Sequence, residues 1–344
     1  MIQHALHALA AGEHLSRQQA YETLTEIMDG AATETQIGAL LMALRMKGEQ
    51  PVEMAGFAQA MREHALRVPV DADGLVDTCG TGGDCLGTFN ISTLAAFVAA
   101  GAGARVAKHG NRAASSKCGS ADVLRELGLN VELGPEQVAE CLRQAGIGFL
   151  FAQRLHPAMR HAAGPRRELG MRTVFNLLGP LANPAGASRQ LLGVYSPEAA
   201  RLLAAALADL GCEHALVVHG LDGLDEISTT GPTLILEVRG GQVAESEVTP
   251  EQFGLPRVSI ADLAGGDPAS CAVIATALLA GERGPARDIV LLNAAAALYV
   301  SGLAPSLSAG LPLAVASLDS GAARGKLEQL RRLSQELATA DVHT

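Results

Sequence analysis

A glycine-rich stretch that follows a short apolar run carries the residues best suited to bind an anion. Leu75 and Val76 predict the end of a strand, and Gly80-Thr81-Gly82-Gly83-Asp84 follows. Because glycine lacks a Cβ, this backbone can adopt positive φ and approach a ligand closely. Loops of this kind turn successive N–H groups inward and form anion-binding nests. The stretch therefore predicts a phosphate site.

Hydroxyl and amide side chains come next, where an apolar helix begins. Asn90, Ser92 and Thr93 precede a helix predicted over 94–102. A phosphate at this point would meet side-chain donors, free N–H groups and the positive helix end together. Since an exposed helix end contributes only about 0.3–1 kcal/mol, most of the affinity must come from the other donors and from a cation.

A second polar loop follows the next predicted strand, 105–107. It begins with Lys108-His109-Gly110-Asn111-Arg112, and Ser115, Ser116 and Ser120 precede a helix predicted over 121–127. This alternation of strands and helices implies a parallel sheet with right-handed crossovers. Ligands of such sheets bind outside the carboxyl ends of the strands, where both loops lie. Together the two loops indicate one phosphate site.

Two familiar nucleotide-binding motifs are absent. The P-loop pattern G-x-x-x-x-G-K-[ST] does not occur. The dinucleotide pattern G-x-G-x-x-G breaks at Cys85 when it is read from Gly80, and at Val106 when it is read from Gly101. Neither candidate opens a helix directly, so the glycine loop belongs to neither class.

Three motifs of the chain resemble the signature of the anthranilate phosphoribosyltransferase family. They are Gly80 to Asp84, Asn90-Ile91-Ser92-Thr93, and Lys108 to Arg112. The similarity extends over nearly the whole chain and includes His156-Pro157-Ala158-Met159, Arg172-Thr173-Val174-Phe175-Asn176 and Leu178-Gly179-Pro180. The first motif also resembles the wider nucleoside-phosphorylase-like fold, whereas its combination with the third motif and Arg166 is highly specific. The resemblance implies an enzyme of tryptophan biosynthesis.

The composition is typical of a globular protein that does not bind nucleic acid. The 344 residues are 48% hydrophobic and 18% charged. A net charge of −10 and an aromatic content of 3% argue against a nucleic-acid partner. No signal-peptide pattern, membrane-length apolar run or C-x-x-C pair occurs. We therefore expect a cytoplasmic protein without a membrane partner.

The N-terminal residues 1–70 predict a small all-helical domain. Ser16-x-x-Gln19 and Thr33-x-x-Gln36 match capping boxes. An α/β domain over 71–344, with a mostly parallel central sheet flanked by helices, is expected to bind phosphoribosyl diphosphate. The segment from about 165 to 187 is predicted to add a helical contribution to the small domain. By resemblance, the small domain would also form the contact of a homodimer.

Apolar runs and turn signals predict the remaining elements of the large domain. The expected strands cover 131–133, 149–151, 191–194 and 215–218, and a hairpin joins 233–238 to 242–248. The expected helices cover 136–145, 197–210, 289–300 and 322–337.

Two acidic residues, Asp225 and Glu226, follow the strand predicted over 215–218. Mg²⁺ prefers one or two carboxylates together with substrate oxygens and water. Taken alone, an acidic loop is more often only solvated. The resemblance favours a metal site, because the pair matches the family's metal-binding residues.

The resemblance also implies a reaction, the transfer of the phosphoribosyl group of 5-phosphoribosyl 1-diphosphate (PRPP) to the amine of anthranilate. It assigns PRPP binding to Gly80, Gly83, Asp84, Thr88, Asn90, Ile91, Ser92, Thr93, Lys108, Ser116 and Ser120. It assigns Mg²⁺ to Ser92, Asp225 and Glu226, and anthranilate to Gly80, Asn111 and Arg166, with Arg166 facing the carboxylate. No catalytic residue is assigned with certainty, and His109 either lines the substrate channel or only packs.

Two alternatives remain open. A pyrimidine-nucleoside phosphorylase of the same fold would need phosphate and a nucleobase pocket, but Asn111 with Arg166, and the acidic pair, favour an amine and a diphosphate. A non-catalytic nucleic-acid-binding relative should carry a basic groove, whereas this chain is acidic. Cys85 stands where the family commonly has glycine, and it could change the flexibility of the loop.

Overall fold

The computed structural model describes residues 1–84, 86–113 and 117–340, which form a helical bundle and a seven-stranded sheet covered by helices on both faces. The predicted fold class, a small helical domain and a larger α/β domain, is confirmed. The exact boundaries, 1–70 and 71–344, stay predictions.

Four helices form the N-terminal bundle. They are α1 (Ile2–Ala10), α2 (Arg17–Met28), α3 (Glu34–Lys47) and α4 (Pro51–Glu63). Both predicted capping boxes are confirmed. Ser16 Oγ accepts the N–H of Gln19 at 3.2 Å, and Thr33 Oγ1 accepts the N–H of Gln36 at 3.3 Å. Each cap stabilises the start of its helix by about 1 kcal/mol.

Seven strands form one sheet, in the order β3-β2-β1-β4-β5-β6-β7. They are β1 (Leu75–Gly80), β2 (Arg105–Gly110), β3 (Ile147–Phe151), β4 (Arg189–Gly193), β5 (His214–Gly220), β6 (Thr233–Arg239) and β7 (Gln242–Val248). The first five strands are parallel, and β6 and β7 add the predicted antiparallel hairpin at one edge. Both turn glycines, Gly240 and Gly241, have positive φ, as a primed turn requires.

Eleven further helices belong to the described part of the chain beyond the bundle. They are α5 (Ile91–Gly101), α6 (Ser120–Glu126), α7 (Pro135–Ala145), α8 (Ala152–Leu155), α9 (Arg160–Leu169), α10 (Val174–Leu178), α11 (Pro197–Asp209), α12 (Pro268–Leu279), α13 (Pro285–Val300), α14 (Leu307–Asp319) and α15 (Ala322–Ala340). Short 3-10 turns cover Pro157–Met159, Gly179–Leu181, Pro250–Phe253 and Ile260–Leu263.

The two faces of the sheet bury two separate cores, because successive side chains of a strand point to opposite sides. In β5, Leu216 and Val218 join the core that contains α5, α13 and α15. Ala215 and Val217 join the core that contains the bundle, α10 and α11. Helix α9 contacts α3, and α10 contacts α4, so the segment after residue 160 packs against the bundle.

The strand predicted over 131–133 is wrong. These residues have no regular secondary structure, and the next strand of the sheet is β3. Val131 and Leu133 are buried while Glu132 is exposed, so burial alternates here as it would in a strand. The segment packs beside α15 instead, where the N–H of Asn130 donates to Ser334 Oγ at 3.0 Å. The alternating burial at 131–133 therefore does not come from pairing with a neighbouring strand.

Within residues 1–84, 86–113 and 117–340, no helix has both the length and the apolar character needed to cross a membrane.

Candidate active site

The order of the parallel strands reverses between β1 and β4, and this reversal makes a crevice at the carboxyl ends of the two strands. Gly80 ends β1 and pairs with Gly193 at the end of β4. The glycine loop therefore begins at the crevice. The loops after β2 and β5 open at the same edge because these strands run parallel to β1 and β4.

Lys108 in β2 places a cation at the base of this crevice. Its side chain is only 4% exposed, and Nζ donates to the carbonyl of Thr78 and to Ser92 Oγ, the latter at 3.4 Å. Burial lowers the pKa of Lys108, and the negative charges of Asp77 and Glu226 oppose that change. The structure thus brings together Lys108 and Ser92, two of the predicted PRPP ligands.

Asp77, which the sequence reasoning did not single out, fixes the end of β2. One carboxylate oxygen accepts the N–H of His109 at 3.0 Å, and the other accepts Nδ2 of Asn183 at 2.8 Å. Burial raises the pKa of Asp77 to about 6. Asn183 lies 106 residues along the chain, so no local spacing could have revealed this pair.

The acidic pair after β5 reaches back to the first loop and to helix α5. Glu226 Oε1 accepts the N–H of Ser92 at 2.9 Å, and Asp225 accepts the N–H of Gly82. Burial, followed by the charge of Asp84, raises the pKa of Asp225 to about 7. Burial, followed by the charge of Asp225, raises the pKa of Glu226 to about 8. The ionised form of both carboxylates is therefore disfavoured, and a bound cation would favour it.

The donor set around this pair suits a cation that takes most of its ligands from a substrate. Among residues 1–84, 86–113 and 117–340, no group of three or more His, Cys, Asp or Glu side chains could hold a metal ion. Asp225 and Glu226 offer two carboxylates, with the hydroxyl of Ser92 next to Glu226. Mg²⁺ accepts such a partial site when phosphate oxygens and water complete its octahedron.

Contacts from two distant segments hold the glycine loop. Arg172 donates to the carbonyl of Gly83, and its guanidinium stacks on the ring of Tyr195 at 4.2 Å. On the other side, Gly265 donates its N–H to the carbonyl of Gly87 at 2.8 Å, and Thr88 forms an isolated bridge with Ala264. Arg172 was not among the predicted site residues, although it begins one of the segments that resemble the family.

The remaining predicted PRPP ligands lie around the first turn of α5 and the start of α6. Asn90 precedes α5, and its Nδ2 donates to the carbonyl of Cys118 at 3.2 Å. Ile91 is buried in the first turn, and Thr93 is buried with no partner for Oγ1 in the described part of the chain. Ser120 Oγ donates to the carbonyl of Asn111 at 3.2 Å. Ser116 and Cys85 lie outside the described residues.

His109 and His156 form a buried pair between β2 and the 3-10 turn at 179–181. Their ring centroids are 5.1 Å apart, and His109 Nδ1 lies 3.1 Å from the carbonyl of Gly179. Burial lowers the pKa of His109 to about 3 and that of His156 to about 4, so both rings are neutral at neutral pH. In the described part of the chain, neither Nε2 has a hydrogen-bond partner. Each is therefore a buried polar atom that a ligand could satisfy.

Arg166 lies apart from the phosphate-side cluster, on α9. Its guanidinium stacks on the ring of Phe175 at 5.3 Å, and burial lowers its pKa. No hydrogen bond joins it to Asn111 within the described ranges. The two predicted anthranilate residues thus belong to different segments, and their role stays a prediction.

Comparison with known proteins identifies this arrangement. A family model described as the α/β domain of a glycosyl transferase family matches residues 72–324, and the helical bundle domain of such a family matches residues 3–65. The anthranilate phosphoribosyltransferase of Rubrobacter xylanophilus is 57% identical over 339 residues, which cover 98% of this chain and 99% of that one. That of Anaeromyxobacter dehalogenans is 59% identical over 330 residues, or 96% of this chain and 98% of that one.

The chain belongs to the anthranilate phosphoribosyltransferase family. Its fold agrees with solved members. The anthranilate phosphoribosyltransferase of Thermus thermophilus superimposes with a TM-score of 0.92 at 47% identity, covering 96% of this chain and 99% of that chain. The enzyme of Saccharomyces cerevisiae in complex with PRPP and Mg gives a TM-score of 0.89 at 29% identity, covering 97% and 98%. These relatives favour a phosphoribosyltransferase over a nucleoside phosphorylase.

Proposed function

We propose that the chain transfers the 5-phosphoribosyl group of PRPP to the amine of anthranilate, giving N-(5-phosphoribosyl)anthranilate and diphosphate. The observation that carries this proposal is the cluster of Lys108, Ser92 and Glu226 beside the glycine loop, in a chain of this family. The cluster provides one buried cation and two kinds of oxygen ligand where a charged diphosphate must be held.

The phosphate side of the site would use the residues that surround the crevice. We assign to PRPP the glycine-loop residues, the first turn of α5, the β2 lysine and the start of α6: Gly80, Gly83, Asp84, Thr88, Asn90, Ile91, Ser92, Thr93, Lys108, Ser116 and Ser120. A Cβ on Gly80 would lie 3.2 Å from Asp225 Oδ2, tighter than an ordinary contact, which explains why glycine suits the end of β1.

Mg²⁺ would be held by Asp225 and Glu226, with Ser92, directly or through water. When bound, it would neutralise part of the charge of the leaving diphosphate. The raised pKa values of about 7 and about 8 support this assignment, because burial, followed by the charge of Asp84 on Asp225 and of Asp225 on Glu226, disfavours the ionised carboxylates that a bound cation would favour. Lys108, which lies close enough to both carboxylates to interact with their charges, adds a second positive charge.

The amine side of the site would use Asn111 and Arg166, with Gly80 between the two substrates. The guanidinium of Arg166 stays charged despite its burial, since no protein environment deprotonates it. It can therefore pair with the carboxylate of anthranilate. Stacking on Phe175 holds it in place before the substrate arrives.

Catalysis would come mainly from charge stabilisation and positioning. Cleavage of the bond between ribose C1 and diphosphate leaves an oxocarbenium-like carbon and a multiply charged leaving group. Preorganised donors stabilise the leaving group, and holding the amine beside C1 can supply about 7–11 kcal/mol. With a pKa of about 3, His109 is too weak a base to retain a proton, so it would contact the substrate rather than transfer a proton.

We also propose that the chain forms a homodimer through the helical bundle and works in the cytoplasm. Met46 on α3 is 82% exposed and Val52 on α4 is 41% exposed, which leaves apolar surface on the bundle for a second copy. Sedimentation at micromolar concentration is expected to give twice the chain mass. A monomer at that concentration would contradict the dimer.

The reaction is tested by mixing purified protein with anthranilate, PRPP and Mg²⁺ and following the loss of anthranilate fluorescence. We expect decay that needs both substrates and the metal. Lys108→Ala and Glu226→Ala should each lower kcat/KM by about 100-fold or more, because each removes a charge used in the transition state. Lys326→Ala and Glu245→Ala remove the same residue types elsewhere, on α15 and β7, and should leave the rate unchanged.

Arg166→Ala separates the two substrates in the same assay. It should raise the KM for anthranilate by about 10-fold or more and change the KM for PRPP little, since it removes one charged hydrogen-bonding partner. Equal effects on both KM values would refute the assigned role. If folded wild-type protein shows no decay, nucleosides with phosphate and then DNA are the next ligands to test.

A further inference from the structure

Arg172 joins two parts of the chain that are 89 residues apart in sequence. It stands between α9 and α10, half-buried, with its guanidinium 4.2 Å from the ring centroid of Tyr195. From this support, Nη2 donates to the carbonyl of Gly83 in the glycine loop. A stacked guanidinium loses little conformational freedom when it forms a hydrogen bond. Arg172 is therefore a fixed cation that holds one specific carbonyl of the loop.

The position of this carbonyl determines the direction of the next N–H group. The peptide bonds of the described residues are not cis, so the carbonyl of Gly83 and the N–H of Asp84 point in opposite directions. By holding the carbonyl, Arg172 turns the Asp84 N–H away from itself. Arg172 thus fixes the orientation of the peptide plane between Gly83 and Asp84.

Glycine at position 83 is required by the same contact. Its φ is +86°, which favours glycine, and a Cβ there would overlap the guanidinium of Arg172. Any larger residue would have to displace either the loop or the arginine. The glycine of the loop and the arginine of the later motif therefore form one unit.

Arg172 also lies close enough to the acidic pair to influence it. Its charge acts to lower the pKa of Asp225, against the effect of burial and of Asp84. Asp225 in turn accepts the N–H of Gly82. The cation, the loop and the carboxylate that is assigned to Mg²⁺ are thus adjacent.

We propose that Arg172, supported by Tyr195, is a positioning residue for the diphosphate end of the donor: it holds the Gly83 carbonyl aside so that the loop offers N–H groups to the anion. This inference rests on the proposed function. Under this inference the two arginines of the segment have separate roles: Arg166 binds the amine substrate, and Arg172 positions the glycine loop.

The test compares two single substitutions by their KM values for both substrates. Arg172→Ala should raise the KM for PRPP by about 10- to 100-fold, the effect of losing one charged hydrogen bond, and should change the KM for anthranilate less than about 2-fold. Arg166→Ala should show the reverse pattern. Calorimetric titration with Mg²⁺ and diphosphate should show the same loss for Arg172→Ala without any turnover.

Three further variants separate positioning from a general structural role. Tyr195→Leu leaves the guanidinium but removes its support, and should raise the KM for PRPP by about 3- to 10-fold. Tyr195→Phe keeps the ring and should restore the wild-type value. Arg172→Lys keeps the charge but loses the stacked planar fork, and should recover only part of the affinity. If Arg172→Ala fails to fold, Arg172→Lys and Tyr195→Leu decide the question by the same two KM values.

The outcomes distinguish this inference from the function on which it rests. A folded wild-type protein without activity contradicts the proposed function. The role of Arg172 is overturned, and the function stays intact, if the wild-type protein is active and one of two results is found. Either the Arg172 and Tyr195 variants keep the wild-type KM for PRPP, or they raise the KM values for both substrates equally.

Discussion

Gly193, at the end of β4, allows the acidic pair to lie against the sheet. A Cβ on Gly193 would overlap the carbonyl oxygen of Asp225 and would lie 2.7 Å from its carbonyl carbon. An ordinary contact begins at 3.4 Å, and the carbonyl oxygen is nearer to the added Cβ than the carbonyl carbon is, so the backbone of Asp225 must move by about 1 Å or more in Gly193→Ala. The φ of Gly193 lies outside the left-handed region, so alanine strains the contact and not the backbone of residue 193 itself.

Gly193→Ala is expected to lower the activity strongly in a protein that still folds. Overpacking of this kind lowers the free energy of unfolding by about 1–3 kcal/mol. A displacement approaching 1 Å at a reacting centre can lower the rate by about 100-fold. We therefore expect a folded protein whose kcat/KM for PRPP falls by about 100-fold and whose Mg²⁺ requirement rises.

The assay follows anthranilate fluorescence at varied PRPP and Mg²⁺, together with urea unfolding of the same preparation. Gly325→Ala is the matched control, because a Cβ at this helical position would meet nothing within 4 Å. It should stabilise α15 by about 0.5–1 kcal/mol and leave activity unchanged. A folded Gly193→Ala protein with wild-type PRPP and Mg²⁺ dependence would refute the reasoning that the position of Asp225 sets the activity.

Two further predictions concern buried charges away from the acidic pair. Folding raises the pKa of Asp77 from 3.8 to about 6, so the folded state binds this proton more tightly than the unfolded state does. The resulting stabilisation is complete below the unfolded-state pKa and is lost as the pH rises through 6. The stability advantage of wild type over Asp77→Asn, measured by urea unfolding, should therefore shrink by on the order of 3 kcal/mol between about pH 4 and about pH 7, and a difference independent of pH would contradict the shift. Glu53 is fully buried and pairs with Lys47 at 2.9 Å, so Glu53→Ala should lower the free energy of unfolding by about 3–5 kcal/mol, and a loss below about 1 kcal/mol would show that the pair is not important for folding.

Local signals in the sequence were sufficient for most elements of the fold. The capping boxes at Ser16 and Thr33 and the Gly240-Gly241 hairpin depend on side chains and backbone angles within a few residues, and the structure confirms all three. The helix predicted from residue 94 begins at Ile91, so Ser92 and Thr93 lie in its first turn. The strand predicted at 131–133 was wrong, because the apolar side chains of this segment are buried by packing beside α15 and not by a strand neighbour.

The sequence by itself determined the kinds of residue at the site: a glycine loop, a lysine after a buried strand, hydroxyls at a helix start and a pair of acids after a later strand. These are local patterns, and a resemblance to a known family gave them their roles. The tertiary structure decided which of them meet. Strand order places Gly80 beside Gly193, and this register sets Asp225 and Glu226 against the glycine loop and α5. The contacts of Arg172 and Asn183 could be recognised only in the folded chain, because they join residues 89 and 106 positions apart and local sequence patterns do not predict contacts over such separations.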